Sequence, residues 1–365
     1  MNDNPIILQA CDIILQRDNR TTLSIPHLAV HQGEVVSLIG PNGAGKTSLL
    51  LVLAGLLRPM RGTLRFNENN ITCSSALLAY RRSIAMVFQE PLLLHTTVFN
   101  NVAAGLKMRG IPHAEIRRIV PYILERFHIE HLAQRSSKAL SGGEAQRVSL
   151  ARAFAVNPRI VFLDEPFSSL DPPTREALLQ DFESVLSEMK TTVVFATHHQ
   201  DEALRLADRM AVMRDGTVVQ IGTCEEVINA PQDEFVATFV GMETLLRGMV
   251  TETKNGMVTI AVGNQRVTAI ADARVGEELL IGIRPEHVTL GTVSAPHTTS
   301  ARNMFAATVV DVVLKGLFYK VVLDCGFPLT AFVTGQSREA LGIRTGTRLT
   351  ATFKATAVHI LRKKG

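Results

Sequence analysis

Four stretches carry residue types at spacings that suit phosphate chemistry. GPNGAGKT, residues 40–47, sets three glycines ahead of a lysine and a threonine. Gly40, Gly43 and Gly45 permit backbone angles that aim successive N–H groups inward, with Pro41, Asn42 and Ala44 completing the loop. Thr47 and Ser48 open an apolar helical stretch whose N-terminus adds its positive dipole end, so the loop wraps a polyphosphate. Lys46 then neutralises phosphate oxygens and Thr47 offers a hydroxyl to magnesium. IVFLDEP supplies Asp164, a hard carboxylate suited to that metal, and Glu165, free to orient or deprotonate a water. TTVVFATHH ends in His198 and His199, and MVFQEP carries Gln89, whose amide reaches metal or water only in such company.

These residues work together only if the backbone collects them. VVSLIG, RIVFLD, TTVVFAT and RSIAMVF are continuous apolar runs, the pattern of parallel strands covered on both faces. In a parallel sheet every carboxyl end lies on one edge, where open α/β folds bind ligands. The expectation is therefore an α/β domain with Lys46, Thr47, Gln89, Asp164, Glu165 and His198 at a single sheet edge.

A second glycine-bearing stretch, LSGGEAQR, begins at Leu140. Ser141 with Glu144 three residues on fits a capping box, with Gly142 and Gly143 as a hinge. The same serine and glycines also suit a second anion cradle, and local sequence leaves both readings open.

The order and spacing of GPNGAGKT, Gln89, LSGGEAQRVSLARA, IVFLDEP, SSLD and the histidine after TTVVFAT resemble the ABC transporter ATPase family over residues 1 to about 240. That resemblance implies a P-loop NTPase fold with a helical subdomain at about residues 90–157, hydrolysing ATP with Mg2+. It also implies a head-to-tail homodimer. Lys46, Thr47, Gln89, Asp164, Glu165 and His198 would act within one subunit, with Thr47, Gln89 and Asp164 about the metal. Ser141, Gly142, Gly143 and Glu144 would close on the nucleotide of the other, with Asp171 of SSLD at the seam. The helical insertion would dock an integral membrane permease, which places the protein peripherally on the cytoplasmic face of the plasma (inner) membrane; a substrate-binding protein would be an indirect partner. The chain departs from the family pattern in three places. No aromatic precedes the Gly33–Glu34 dipeptide to stack on adenine, so Arg17 is the expected substitute. Glu144 stands where the signature glutamine is usual, and His199 where aspartate is common.

Composition agrees with a globular chain of two or three domains: 365 residues, 46% hydrophobic, 20% charged. The four cysteines are scattered, which argues against a disulfide framework or zinc site and suits a reducing compartment. No run of eighteen apolar residues appears, so membrane work needs a partner. Glu125, His128 and His131 are better explained as the solvated face of an amphipathic helix than as metal ligands. The cluster Arg362, Lys363 and Lys364 reads as a solvated end.

From residue 243 to 365 the texture changes to short alternating runs with Gly and Asn turns, the grammar of a small all-β, OB-like barrel. Gly276, Leu279, Ile283, Arg284, Val288 and Leu290 repeat as Gly346, Leu349, Phe353, Lys354, Val358 and Ile360, so two related β units are expected. GIRPEHVTL resembles the TOBE regulatory domain of importer ATPases, and SARN with FKATAV is similar to its molybdate-binding version. Ser300, Arg302, Lys354 and Thr356 supply hydroxyls and cations for a tetrahedral dianion. The resemblance implies an importer ATPase for molybdate or tungstate, with regulatory oxyanion on the β domain. The alternatives are another solute (sulfate, iron, sugar or polyamine) and a soluble ATPase acting on nucleic acid. The last needs a basic groove interleaved with exposed aromatics. Phe305, Phe318, Tyr319, Phe327, Phe332 and Phe353 lie among apolar residues and read as core, so no nucleic acid is expected.

Overall fold

The structure, a computed structural model, describes residues 4–17, 20–71, 73–292 and 300–361. The basic cluster at residues 362–364 lies outside them. The chain divides into two compact units, Met1–Cys224 and Glu225–Gly365.

The first unit opens with β1 (Ile6–Arg17), β2 (Arg20–His31) and β3 (Val35–Ile39), then α1 (Lys46–Leu53), β4 (Arg61–Phe66), β5 (Asn69–Asn70), α2 (Ser74–Ser83) and β6 (Ile84–Val87). A helical insertion follows: α3 (Val98–Met108), α4 (His113–Arg126) and α5 (Gly142–Ala155). The unit closes with β7 (Ile160–Asp164), α6 (Pro172–Met189), β8 (Thr192–Thr197), α7 (Gln200–Leu206), β9 (Arg209–Arg214) and β10 (Thr217–Thr223). One sheet is antiparallel, in the order β2-β1-β4-β5. The other runs β10-β9-β3-β8-β7-β6, parallel except for the β9–β10 pair.

The apolar runs form the parallel strands because both faces are covered. Every residue of β3, β7 and β8 is buried. On one face Leu49, Leu50, Val52 and Leu53 of α1 pack with Leu38, Phe162 and Val194. On the other, Phe154 of α5 and Phe182 of α6 meet edge to face, their ring centroids 5.9 Å apart, in the core that contains Leu163 and Phe195. Helices α3, α4 and α5 pack on one another between β6 and β7, the position expected of the helical subdomain. Among the described residues no helix is long and apolar enough to cross a membrane.

The second unit begins with the end of α8 (Cys224–Asn229) and α9 (Glu234–Phe239), followed by β11 (Thr244–Lys254), β12 (Met257–Val262), β13 (Gln265–Ile270), β14 (Glu278–Ile283) and β15 (Thr289–Gly291). Then come β16 (Asn303–Lys315), β17 (Phe318–Asp324), β18 (Pro328–Thr334), α10 (Gly335–Ala340), β19 (Arg348–Phe353) and β20 (Val358–Leu361). The two five-stranded antiparallel sheets run β13-β12-β11-β14-β20 and β15-β19-β16-β17-β18. Each half thus gives its last strand to the other: β15 pairs β19, and β20 pairs β14. The sequence repeat has a structural counterpart in β14 and β19, each preceded by a glycine at φ 87° or 85° and followed by a single 3-10 turn.

The boundary differs from the expected one near residues 240–243. Ala237 of α9 and Met242 before β11 bury with Leu361 of β20, and Arg284 donates to the carbonyls of Val240 and Ile228. The segment after Cys224 therefore folds with the β unit. The aromatics also divide. Phe305, Phe327 and Phe353 are core, whereas Phe318, Tyr319 and Phe332 are half-buried.

Candidate active site

The parallel sheet delivers its carboxyl ends to one edge. β3 runs into the glycine loop, β6 into Gln89, β7 ends on Asp164, and β8 is followed by His198. Around a cavity of about 460 Å³ stand Gly43, Lys46, Thr47, Gln89, Glu165 and His198; Asn42, Ala44, Gly45 and Ser48 complete the wall.

Two glycines of the loop are required for different reasons. A Cβ on Gly40 would lie 2.3 Å from the Met213 carbonyl oxygen of β9, so only a glycine lets the loop leave the sheet there. Gly45 caps α1 at φ 97°, a left-handed conformation that turns the chain into the helix.

Lys46 lies at the first position of α1 and is buried, its Nζ donating to the carbonyls of Gly40 (2.8 Å) and Pro41 (3.2 Å). A Glu165 carboxylate oxygen lies 3.7 Å away. Burial holds the Lys46 ammonium below its ordinary pKa, opposed by the charge and hydrogen bonding of Glu165 and the charge of Asp164. Thr47 donates its hydroxyl to Asp164 at 2.9 Å. Burial pushes the Asp164 carboxyl above the usual carboxylate range, against the Thr47 hydrogen bond.

Glu165 is the pivot. Its backbone sits at φ 47°, a region L-residues rarely occupy, and its N–H donates to the Ala196 carbonyl of β8 at 3.0 Å. That turn separates it from Asp164 and aims its carboxylate at Lys46 and at His198, whose Nδ1 is 2.5 Å from Oε2. Three supporting contacts escaped the sequence reading. Ser168 accepts from the Gln89 amide at 3.2 Å and donates to the Glu165 carbonyl at 3.0 Å, linking the β6 and β7 ends. Thr197 donates to Glu202 and accepts the His199 N–H at 3.0 Å, which fixes the turn presenting His198. Glu202 is 1% exposed and is paired with Arg175 at 2.8 Å. The serine in FSSLD was the one legible signal; a buried glutamate in a short helix leaves none.

Other expected site residues lie elsewhere. Arg17 is exposed at the end of β1 and is not among the residues lining the cavity. Ser141 caps α5 by accepting the Glu144 N–H at 3.3 Å, while Glu144 accepts the Ser141 N–H at 2.7 Å and meets Arg135 at 3.3 Å. The capping box is thus formed and engages the Glu144 carboxylate; the Ser141 hydrogen bond lowers its pKa. Gly143 is buried where a Cβ would meet Thr174 Cγ2 at 2.5 Å, whereas Gly142 is exposed with open space around it. Asp171 caps α6 through the Thr174 N–H at 3.2 Å.

In the second unit a cavity of about 430 Å³ is bounded by Ser300, Lys354 and Thr356, with His287, Thr289 and Thr352 completing its polar wall. Arg302 is exposed and outside that lining. His287 and Thr289 come from the first repeat, and no local pattern announces them. Their place follows from the strand exchange that brings β15 beside β19.

A phosphate-wrapping loop, an acidic strand end and a histidine at one parallel sheet edge, with a helical insertion opened by a capped SGGE turn, define a P-loop ATPase of the ABC type. The family model described as ABC transporter matches residues 23–168, and that described as TOBE domain matches residues 299–360. Across both units the chain is similar to the molybdate/tungstate import ATP-binding protein of Pyrococcus horikoshii, 38% identical over 333 residues covering 91% of this chain and 93% of that protein. It is also similar to the spermidine/putrescine import ATP-binding protein of Ruegeria pomeroyi, 34% identical over 341 residues covering 91% and 89%. Among solved structures, cbiO1 from Clostridium perfringens, part of the ABC transporter complex cbiONQ, aligns at TM-score 0.57 and 30% identity, over 61% of this chain and 90% of that one. The chain belongs to the ABC transporter ATPase family, as a member with a C-terminal TOBE domain.

Proposed function

We propose that this ATPase drives uptake of molybdate or tungstate through a separate membrane permease, and that the same class of anion binds its β unit. The 38% identity to a molybdate/tungstate import protein over nine-tenths of both chains supports this reading; the spermidine/putrescine relative covers as much of the chain at 34%, so the chemistry of the second cavity decides between them. The chemistry of the second cavity supports it. Lys354, Ser300, Thr289, Thr352 and Thr356 offer one cation and four hydroxyls, and among the described residues no carboxylate lines the wall. Such a wall favours a tetrahedral dianion over a polyamine, the cargo class named for the Ruegeria pomeroyi relative.

In hydrolysis, Lys46 neutralises β and γ oxygens as its carbonyl contacts are exchanged for phosphate. Glu165 accepts the proton of the attacking water, and the His198 hydrogen bond holds its carboxylate in place. Gln89, tied to Ser168, orients that water. Thr47 and Asp164, two hard oxygen donors 2.9 Å apart, fit Mg2+ and would hold it together with Gln89; the ion would supply charge neutralisation on the phosphates. Ser141, Gly142 and Gly143 of a second copy complete the site, with Asp171 at the subunit seam. The protein then sits peripherally on the membrane that holds its permease.

Calorimetry on the full chain with molybdate, tungstate, sulfate and spermidine tests the cargo. Heat with molybdate or tungstate that Lys354→Ala removes is the expected result. Binding of spermidine alone would favour the polyamine reading.

A further inference from the structure

Glu202 is a charged group in an apolar place. It lies on α7, is 1% exposed, and is buried on that helix with Ala203 and Leu206. An apolar side chain there would avoid desolvating a charge, since a buried ion pair seldom stabilises a fold more than hydrophobic packing does. What the carboxylate touches gives it a different use.

Its partner at the end of β8 is Thr197, whose hydroxyl donates to it. A hydroxyl can donate or accept, so its neighbours set its direction. An ionised carboxylate only accepts. Glu202 therefore fixes the Thr197 proton toward itself and leaves a lone pair for the His199 N–H at 3.0 Å. That bond closes the turn carrying His198, whose ring meets Glu165. Arg175 keeps Glu202 in its accepting state. Burial raises the Glu202 pKa, opposed by the Thr197 hydrogen bond and by the Arg175 charge, whose Nη2 lies 2.8 Å from the carboxylate. A protonated Glu202 would itself donate, and the direction of the Thr197 hydroxyl would be lost.

Arg175 stands on a fixed mount. Its N–H donates to the Asp171 carbonyl at 2.9 Å, in the first turn of α6 that Asp171 caps through the Thr174 N–H. Thr174 Cγ2 fills the space beside Gly143, where a Cβ would lie 2.5 Å away. The first turn of α6 thus touches both the SGGE turn and Glu202.

We infer that Glu202 and Arg175 are positioning residues for hydrolysis: they set the direction of the Thr197 hydroxyl and so hold His198 aimed at Glu165. The inference rests on the proposed roles of His198 and Glu165. A group that acts only through His198 costs no more than His198 does when it is removed.

Phosphate release against ATP concentration, with binding of a fluorescent ATP analogue and the melting temperature, tests this on the full chain. Glu202→Gln adds donors where only an acceptor stood. It is expected to lower kcat about three- to tenfold, the worth of one hydrogen bond, and to leave ATP affinity within about twofold. Thr197→Val, which keeps the shape and removes the hydroxyl, should do the same, and Thr197→Ser should restore most of the rate. Arg175→Lys, which keeps the charge, should cost less than Arg175→Ala. In a His198→Ala background Glu202→Gln and Thr197→Val should each change kcat by less than about twofold, because the group they act through is gone. A purely structural role would slow both backgrounds alike. Thr197→Val carries the same comparison should Glu202→Gln fail to fold. The inference is overturned by wild-type kcat in the folded variants, by a loss greater than that of His198→Ala, or by an undiminished loss in a slow His198→Ala chain. A His198→Ala chain as fast as wild type overturns the role of the histidine itself and the inference with it, while Glu165→Gln reads the base separately.

Discussion

Glu165→Gln separates nucleotide binding from turnover, and the geometry says by how much. The carboxylate accepts from His198 at 2.5 Å and lies 3.7 Å from Lys46. A glutamine keeps the shape and an acceptor oxygen but cannot take a proton from water. General-base catalysis is worth about 10²–10⁴-fold, or about 3–5 kcal/mol of barrier, so turnover should fall by that factor. Binding should not fall with it. Lys46 keeps its two loop carbonyls at 2.8 and 3.2 Å, and loss of a negative charge beside the γ-phosphate removes a repulsion. Like charges roughly 5 Å apart at an effective dielectric of about 20 repel by about 3 kcal/mol before screening, so ATP should bind somewhat tighter, by about tenfold. Equilibrium titration with a fluorescent ATP analogue reads the affinity, and release of radiolabelled phosphate under single-turnover conditions reads the chemistry. His198→Ala, which leaves the carboxylate but frees it, should cost less. Turnover of Glu165→Gln within about tenfold of wild type would refute the assignment of Glu165 as base.

Three further outcomes follow from named contacts. Ser141→Arg should block turnover, as should Lys46→Ala, but an equimolar mixture should regain activity from dimers with one intact composite site; phosphate release in the mixture no greater than in either variant alone would exclude shared sites. Burial holds His359 below its ordinary pKa of about 6.5, with its Nδ1 donating to the Asn229 carbonyl at 3.0 Å. The unfolded chain then binds the extra proton first as pH falls below about 6.5, so stability is lost on acidification through that window, and the melting temperature of wild type should drop more between neutral and acidic pH than that of His359→Gln. Exposed Cys73, whose thiol pKa is lowered by the Ser75 hydroxyl, should alkylate first, and Cys325, buried and pushed up to about 12, last; peptide mapping after timed iodoacetamide treatment gives the order.

Much of the site was legible because its parts are local. A buried strand reads as an apolar run and a phosphate loop as spaced glycines, and parallel pairing then dictates that Gln89, Asp164, Glu165 and His198 share an edge. What stayed hidden depends on distant partners. Ser168 matters only because β6 and β7 are neighbours. Glu202 looks like a solvated helix residue until Arg175 and Thr197 bury it. Arg17 was placed by counting along the chain, and β1 carries it to an exposed strand end outside the phosphate cavity. The exchange of β15 and β20 has no sequence signal, since strands of three and four residues take their partner from tertiary packing, and His287 and Thr289 join the second cavity only through it. The domain boundary slipped for the same reason: α9 reads as part of an ATPase until Ala237 and Met242 are seen to bury with Leu361.

The two anion cradles differ in how their donors are occupied, and the difference bears on how a shared site works. Lys46 is held by two carbonyls and a carboxylate, contacts that phosphate oxygens can replace within the same loop, so the first cradle is organised by its own chain. At the second, the Ser141 N–H is committed to Glu144 and Glu144 to Arg135, while the Ser141 hydroxyl accepts from the Glu144 N–H and keeps its own proton to donate. A phosphate met there can take the Ser141 hydroxyl proton directly but must displace the Glu144 carboxylate, part of a capping box worth about 1 kcal/mol, to reach the Ser141 N–H. That competition favours a partner delivered already bound and in register over free nucleotide. In the proposed shared site the first cradle sets affinity for ATP, while the second responds to closure of the dimer around it. Glu144→Gln, which relaxes the charge in the box and loses the Arg135 ion pair, should accordingly leave ATP affinity of the isolated chain unchanged while shifting the ATP concentration at which dimers form. A change in monomer affinity would show that the second cradle acts within its own subunit.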